Sequence, residues 1–301
     1  MFPMEFEYQI LSGLPLPTEE RIRDLIQLLG AIIERRVVPY FKSKRGTDPL
    51  KLGKVGDHLN IIRMEDEQGQ IHAVSLLSRV DDTWIIRIHE RIFDYLSFVF
   101  PRDADETFGS GTVEEQKMLA FCELFLRHEV DHVLYFERSE RDLIAYDVEF
   151  AMDSRSSDPT FYRMLRRSLA DEMNGIKGEH YLALFDRAEQ GLPYLDLVST
   201  VVNALVVTLT DMPQAVLQQT FPTLDEELKA RVLGEHYRRS RDNSLPIIQR
   251  ASSLRGVLRL FSLLAEKSEK EARDVFHSFK DRWGLVELFR ELGLPESSVN
   301  G

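Results

Sequence analysis

Residues 125–135 read FLRHEVDHVLY, and inside them His128-Glu129-Val130-Asp131-His132 spells H-E-x-x-H. On a helix, residues four apart lie one turn apart on the same face. His128 and His132 are therefore placed to turn two imidazoles towards one ion. Glu129 is rotated by about 100° from them and stands beside that ion rather than on it. There it is positioned to take a proton from a metal-bound water and pass it to a leaving amine. Zinc lowers the pKa of such a water towards neutrality, so the spacing matches the needs of metal-assisted hydrolysis. The plainer reading is a polar helix face on which Asp131 pairs with Arg127 at i,i+4.

The flanks support a helix. Thr112 with Glu115 three residues later forms a capping-box pattern, and Leu119, Cys122 and Phe125 carry the apolar side as far as the histidines. A second such pattern, Ser139-Glu140-Arg141-Asp142, opens a following helix that carries DLIAYDVEFAMD to Asp153. Upstream, HLNIIRM (58–64), IHAVSLL (71–77) and TWIIRIHE (83–90) are rich in β-branched and aromatic residues. Polar stretches separate them, and they read as a small antiparallel meander. A helix is expected at about 18–38, with Thr18 as its cap and apolar residues at helical spacing. The glycine-bearing loop at 101–112 is a candidate cover for the site. From Thr160 onward only helical patterns occur, punctuated by prolines.

Two histidines need a third protein ligand, with water in the fourth place. Tyr135 and Arg138 stand where metzincins carry Gly and His, so that family does not fit. HEVDH is similar to the peptide deformylase pentapeptide. However, Val133-Leu134-Tyr135 follows it, and Cys122, six residues before His128, lies on the wrong helix face for a shared ligand. The chain more closely resembles the gluzincins, the thermolysin-like metallopeptidases, over about residues 60–155. The resemblance implies a glutamate from the next helix as third ligand and an aspartate four residues on that supports a ligand histidine. Glu149-Phe150-Ala151-Met152-Asp153 offers that pair. Glu149 is then expected as ligand and Asp153 as the carboxylate that fixes a histidine tautomer. Asp142, on the same helical stripe, is the alternative ligand, and Asp147 lies off that stripe.

The resemblance further implies that TWIIRIHE is the edge strand along which a substrate chain lies, by strand addition. Asp131 departs from the family pattern, which has uncharged residues between the glutamate and the second histidine. Tyr146, His180, Tyr181 and His236 are the candidates for an oxyanion donor.

The fold class expected is an α+β zincin-like domain at 1–155, its small antiparallel sheet packed with the H-E-x-x-H helix, followed by an all-α helical bundle at 156–301. The boundary is set at the polar run SRSSDP (154–159). The function expected is a zinc-dependent peptidase acting on a protein or peptide, with Glu129 as catalytic base. The alternative is a catalytically silent domain of the same kind that binds a protein partner through its helical half.

The net charge of −12 argues against a general nucleic-acid surface. The single cysteine rules out a disulfide within the chain and fits a reducing compartment. MFPMEFEYQI shows no basic stretch followed by an apolar one, and the most apolar run, LVSTVVNALVVTL (197–209), is too short to span a bilayer. A cytoplasmic protein without membrane contact is expected.

Overall fold

The computed structural model of the chain describes residues 17–44, 59–64, 75–80, 83–100, 111–135, 138–171, 178–278 and 284–296. The elements are α1 (Glu19–Ile32), a π turn (Ile33–Val37), α2 (Val38–Ser43), β1 (Leu59–Met64), β2 (Ser75–Val80), β3 (Thr83–His89), α3 (Glu90–Val99), α4 (Val113–Leu134) and α5 (Glu140–Ser157). Then come α6 (Pro159–Asp171), α7 (Gly178–Glu189), α8 (Leu195–Asp211), α9 (Gln214–Thr220), a 3-10 turn (Phe221–Thr223), α10 (Glu226–Arg241), α11 (Ile247–Leu264), α12 (Glu269–Ser278) and α13 (Leu285–Glu291). No helix among the described residues is long and apolar enough to cross a membrane.

This overturns the α+β zincin-like assignment, because the chain is mostly helical. Nor are the short strands an antiparallel meander. Their order is β1-β3-β2, with β1 parallel and β2 antiparallel to β3. The chain lengths between strands explain the mixture. Only two residues separate Val80 from Thr83, a span that closes an antiparallel hairpin. Ten residues separate Met64 from Ser75, and β1 instead pairs with β3 from the other side. β3 is thus the central strand, paired on both edges, with Leu59 opposite Trp84 and Leu77 opposite Ile86. TWIIRIHE therefore has no free edge to accept a substrate strand.

Two units compose the chain, Met1–Ala204 and Leu205–Gly301. The expected boundary at 155/156 falls inside α5. In the first unit, α4 packs against α1, the π turn, α3 and β2 on one side and against α5 and α6 on the other. Leu25, Leu29, Ile32, Ile86, Ile88, Phe93, Cys122, Leu126 and Val130 fill the space between α4, α1, β3 and α3. The π turn precedes Pro39, which lacks the N–H an α-helical bond would need and whose ring crowds the carbonyl four residues back; widening the turn relieves both. α7 rests on α5 and α6. In the second unit, α10 and α11 form the main pair, with α12 and α9 against α11 and α13 against α10.

Candidate metal centre

The site sits on a helical hairpin. α4 begins with the full capping box: the Thr112 hydroxyl accepts from the Glu115 N–H, and the Glu115 carboxylate accepts from the Thr112 N–H. It ends at Leu134, and Ser139 caps α5 by accepting from the Asp142 N–H. The short link sends α5 back along α4. His132 therefore faces Glu140, the first residue of α5, and His128 also faces Asp147, two turns further along.

The His128 Nε2 lies 3.3 Å from Glu140 Oε1, and the His132 Nε2 lies 3.3 Å from Glu140 Oε2. The two imidazole rings stand edge to face at 4.9 Å between centroids. The ligand atoms of these three residues all lie within 4.8 Å of one another. A tetrahedral zinc with bonds of about 2.0–2.1 Å separates neighbouring ligand atoms by about 3.3 Å; each histidine lies at that distance from one oxygen of Glu140, and two imidazoles with a carboxylate are a donor set that suits the ion. Two nitrogens and one carboxylate also leave a fourth position free for water. The His132 side chain is 25% exposed and that of His128 14%, so the cluster meets solvent on one side.

The electrostatics favour a positive charge at this point. Burial would lower the pKa of His132, but the hydrogen bond and charge of Glu140, with the charges of Glu129 and Asp131, raise it to about 9. Burial would raise the Glu140 carboxyl, but the charge of His128 and hydrogen bonds from both imidazoles hold it well below the usual carboxylate range. Its place at the start of α5 adds the favourable end of the helix dipole. Glu129 is buried and close enough for its charge to act on His132 and on the Tyr181 phenol.

Behind His128 lies a buried polar cluster. The His128 Nδ1–H donates to Asp147 Oδ2 at 2.8 Å, and the Tyr181 hydroxyl donates to the same oxygen at 2.7 Å. The Arg127 guanidinium meets Asp147 Oδ1 and donates to Asp131 Oδ2 at 2.8 Å.

His128 and His132 are brought together as expected, with Glu129 beside them. Glu149 is exposed on the other side of α5, where burial and the Glu149 charge together raise the Tyr194 phenol. Asp153 is exposed and pairs with Lys44. Asp142 is exposed and occupied with the Ser139 cap. The acid beside both histidines is Glu140 rather than Glu149 or Asp142, and the carboxylate on the His128 Nδ1 is Asp147 rather than Asp153. Of the expected oxyanion donors, Tyr181 is committed to Asp147, Tyr146 stacks under Arg138, and His236 belongs to the second unit. Cys122 is fully buried, and burial pushes its thiol up. The 101–112 loop lies outside the described residues except for Gly111 and Thr112. Glu140 was hidden in the sequence because its position reads as part of a helix cap. The available signal was an acid at the first position of a helix that folds straight back onto the motif.

No family model, curated protein or solved structure matches the chain.

Proposed function

We propose that the protein is a metal-dependent hydrolase that cleaves peptide bonds of a protein or peptide, with His128, His132 and Glu140 holding a zinc ion and Glu129 serving as the base. The observation that carries this reading is the convergence of the His128 and His132 nitrogens and a Glu140 oxygen to within 4.8 Å of one another, with Glu129 on the histidines' own helix. A zinc ion held by these residues would supply a water acidic enough to ionise near neutral pH and a positive charge for a developing oxyanion. Glu129, one residue from His128, would be the group to accept a proton from the attacking water and return it to the departing amine. Glu140 and the imidazoles stay fixed by the hairpin. The partial exposure of His128 and His132 gives a substrate carbonyl a way in.

The test is metal analysis of purified protein together with turnover of unfolded protein substrates. About one zinc per chain, with hydrolysis abolished and zinc retained in Glu129→Gln, is the expected result. Equal hydrolysis by the wild type and Glu129→Gln sinks the catalytic assignment, and failure to bind zinc sinks the site itself.

A further inference from the structure

Asp131 interrupts the motif with a charge, and Arg127 precedes it with another; both side chains are buried, at 2% and 1% exposure. Charges are not buried without partners, because an uncompensated one carries a heavy desolvation penalty. Each of these has a specific place. Arg127 spans Asp131 on its own helix and Asp147 on α5. Its guanidinium also lies over the Phe150 ring at 5.0 Å and the Tyr40 ring at 6.0 Å, so rings from α5 and α2 fix its plane. Asp147 is fully buried, forms an ion pair with Arg127, and accepts from the Tyr181 hydroxyl and the His128 imidazole.

This arrangement decides the His128 tautomer. With Arg127 as counter-charge, Asp147 remains an acceptor on both oxygens. The Tyr181 hydroxyl has one proton and spends it on Asp147. His128 must then present a proton at Nδ1, so that in the neutral ring the lone pair is at Nε2, on the side of His132 and Glu140. A ligand histidine held this way is oriented and made more basic by the carboxylate behind it.

We propose that Arg127, Asp131, Asp147 and Tyr181 form a buried positioning device that fixes His128 with its Nδ1 proton on Asp147 and its Nε2 turned to the metal. The proposal rests on the metal reading above. It also explains the charged residue within the motif: Asp131 holds Arg127, Arg127 holds Asp147, and Asp147 holds His128.

Cobalt(II) titration of the full chain tests it, since the visible absorption of the bound ion reports ligand geometry as well as affinity. Asp147→Asn is expected to weaken binding roughly 10–100-fold and to alter the absorption spectrum at saturation. Tyr181→Phe and Asp131→Asn are expected to weaken it several-fold. Arg127→Lys, which keeps the charge, retains more affinity than Arg127→Met. Glu149→Gln, an exposed change on the same helix, leaves binding unaltered. Should Asp147→Asn fail to fold, Tyr181→Phe decides, because it removes one hydrogen bond and leaves no charge unpaired. Cobalt bound by the wild type, with the same affinity and spectrum in Asp147→Asn and Tyr181→Phe, overturns the positioning role and leaves the metal site standing. No cobalt bound by the wild type overturns the metal reading and the proposal with it.

Discussion

Glu140 and Glu149 differ by nine positions on one helix, and their surroundings give them opposite fates. Glu140 is buried against both imidazoles, whereas Glu149 points to solvent. Glu140→Gln keeps the shape and removes the charge, so zinc affinity is expected to fall by more than the roughly 10–100-fold typical of losing a supporting partner. Glu149→Gln is expected to change it by less than a factor of two or so, within the ordinary scatter of surface substitutions. Zinc titration against a competing chelator compares them directly, and a reversed order removes Glu140 from the site. The motif itself was legible because i,i+4 geometry is local: once 113–134 is a helix, His128 and His132 share a face. The acid that meets both histidines was not, because it depends on where the second helix begins relative to the first. That is set by the packing of two helices and a short link, and no spacing rule within one helix encodes it. The same limit led to Asp153 in place of Asp147. A stripe argument ranks residues along α5, but only the hairpin decides which stripe faces α4.

At the scale of elements, helices were easier to read than strands. Thr112 and Ser139 cap α4 and α5 as their side chains suggest, since a cap is a contact between residues three apart. Strand order involves chain segments far apart, and alternation of residue types is blind to it; hence the mixed sheet with β3 in its centre. The interruption at Ile33–Val37 was also missed, although Pro39 carries the cause in its missing N–H. The α4 cap matters to the site because α4 carries both histidines, yet it lies more than four turns before them. Thr112→Ala removes the side-chain acceptor and is expected to cost about 1 kcal/mol of stability. Metal affinity is expected to stay unchanged, because the last turns of α4 are held by Arg127, Asp131 and the apolar core rather than by the cap. Denaturant unfolding and a zinc titration on the same sample separate the two effects. A loss of affinity without a loss of stability contradicts this division of roles.

For the molecule as a whole, buried ionisable groups set the response to acid, and His236 in the second unit is the clearest case. It is 6% exposed, and neither ring nitrogen finds a hydrogen-bond partner among the described residues. Its ring lies against Gly256 of α11, where an added Cβ would meet Nδ1 at 2.6 Å, so only glycine leaves room for it. Burial first, and then the charge of Arg239, bring its pKa down to about 4, against a smaller upward pull from Asp211. The sign follows from which state binds protons. Above about pH 6.5 both folded and unfolded chains carry a neutral ring, and His236 adds no pH dependence. As the pH falls from about 6.5 to about 4 the unfolded chain takes up a proton that the folded chain refuses, so stability is lost across that window. The loss attributable to this one side chain is of order 3 kcal/mol at the low end. His236→Leu removes the titrating group and keeps an apolar side chain against Gly256. Urea unfolding at pH 7.5 and pH 4.5 is then expected to show a smaller drop in the variant than in the wild type. An equal drop in both proteins removes His236 as a cause of acid lability.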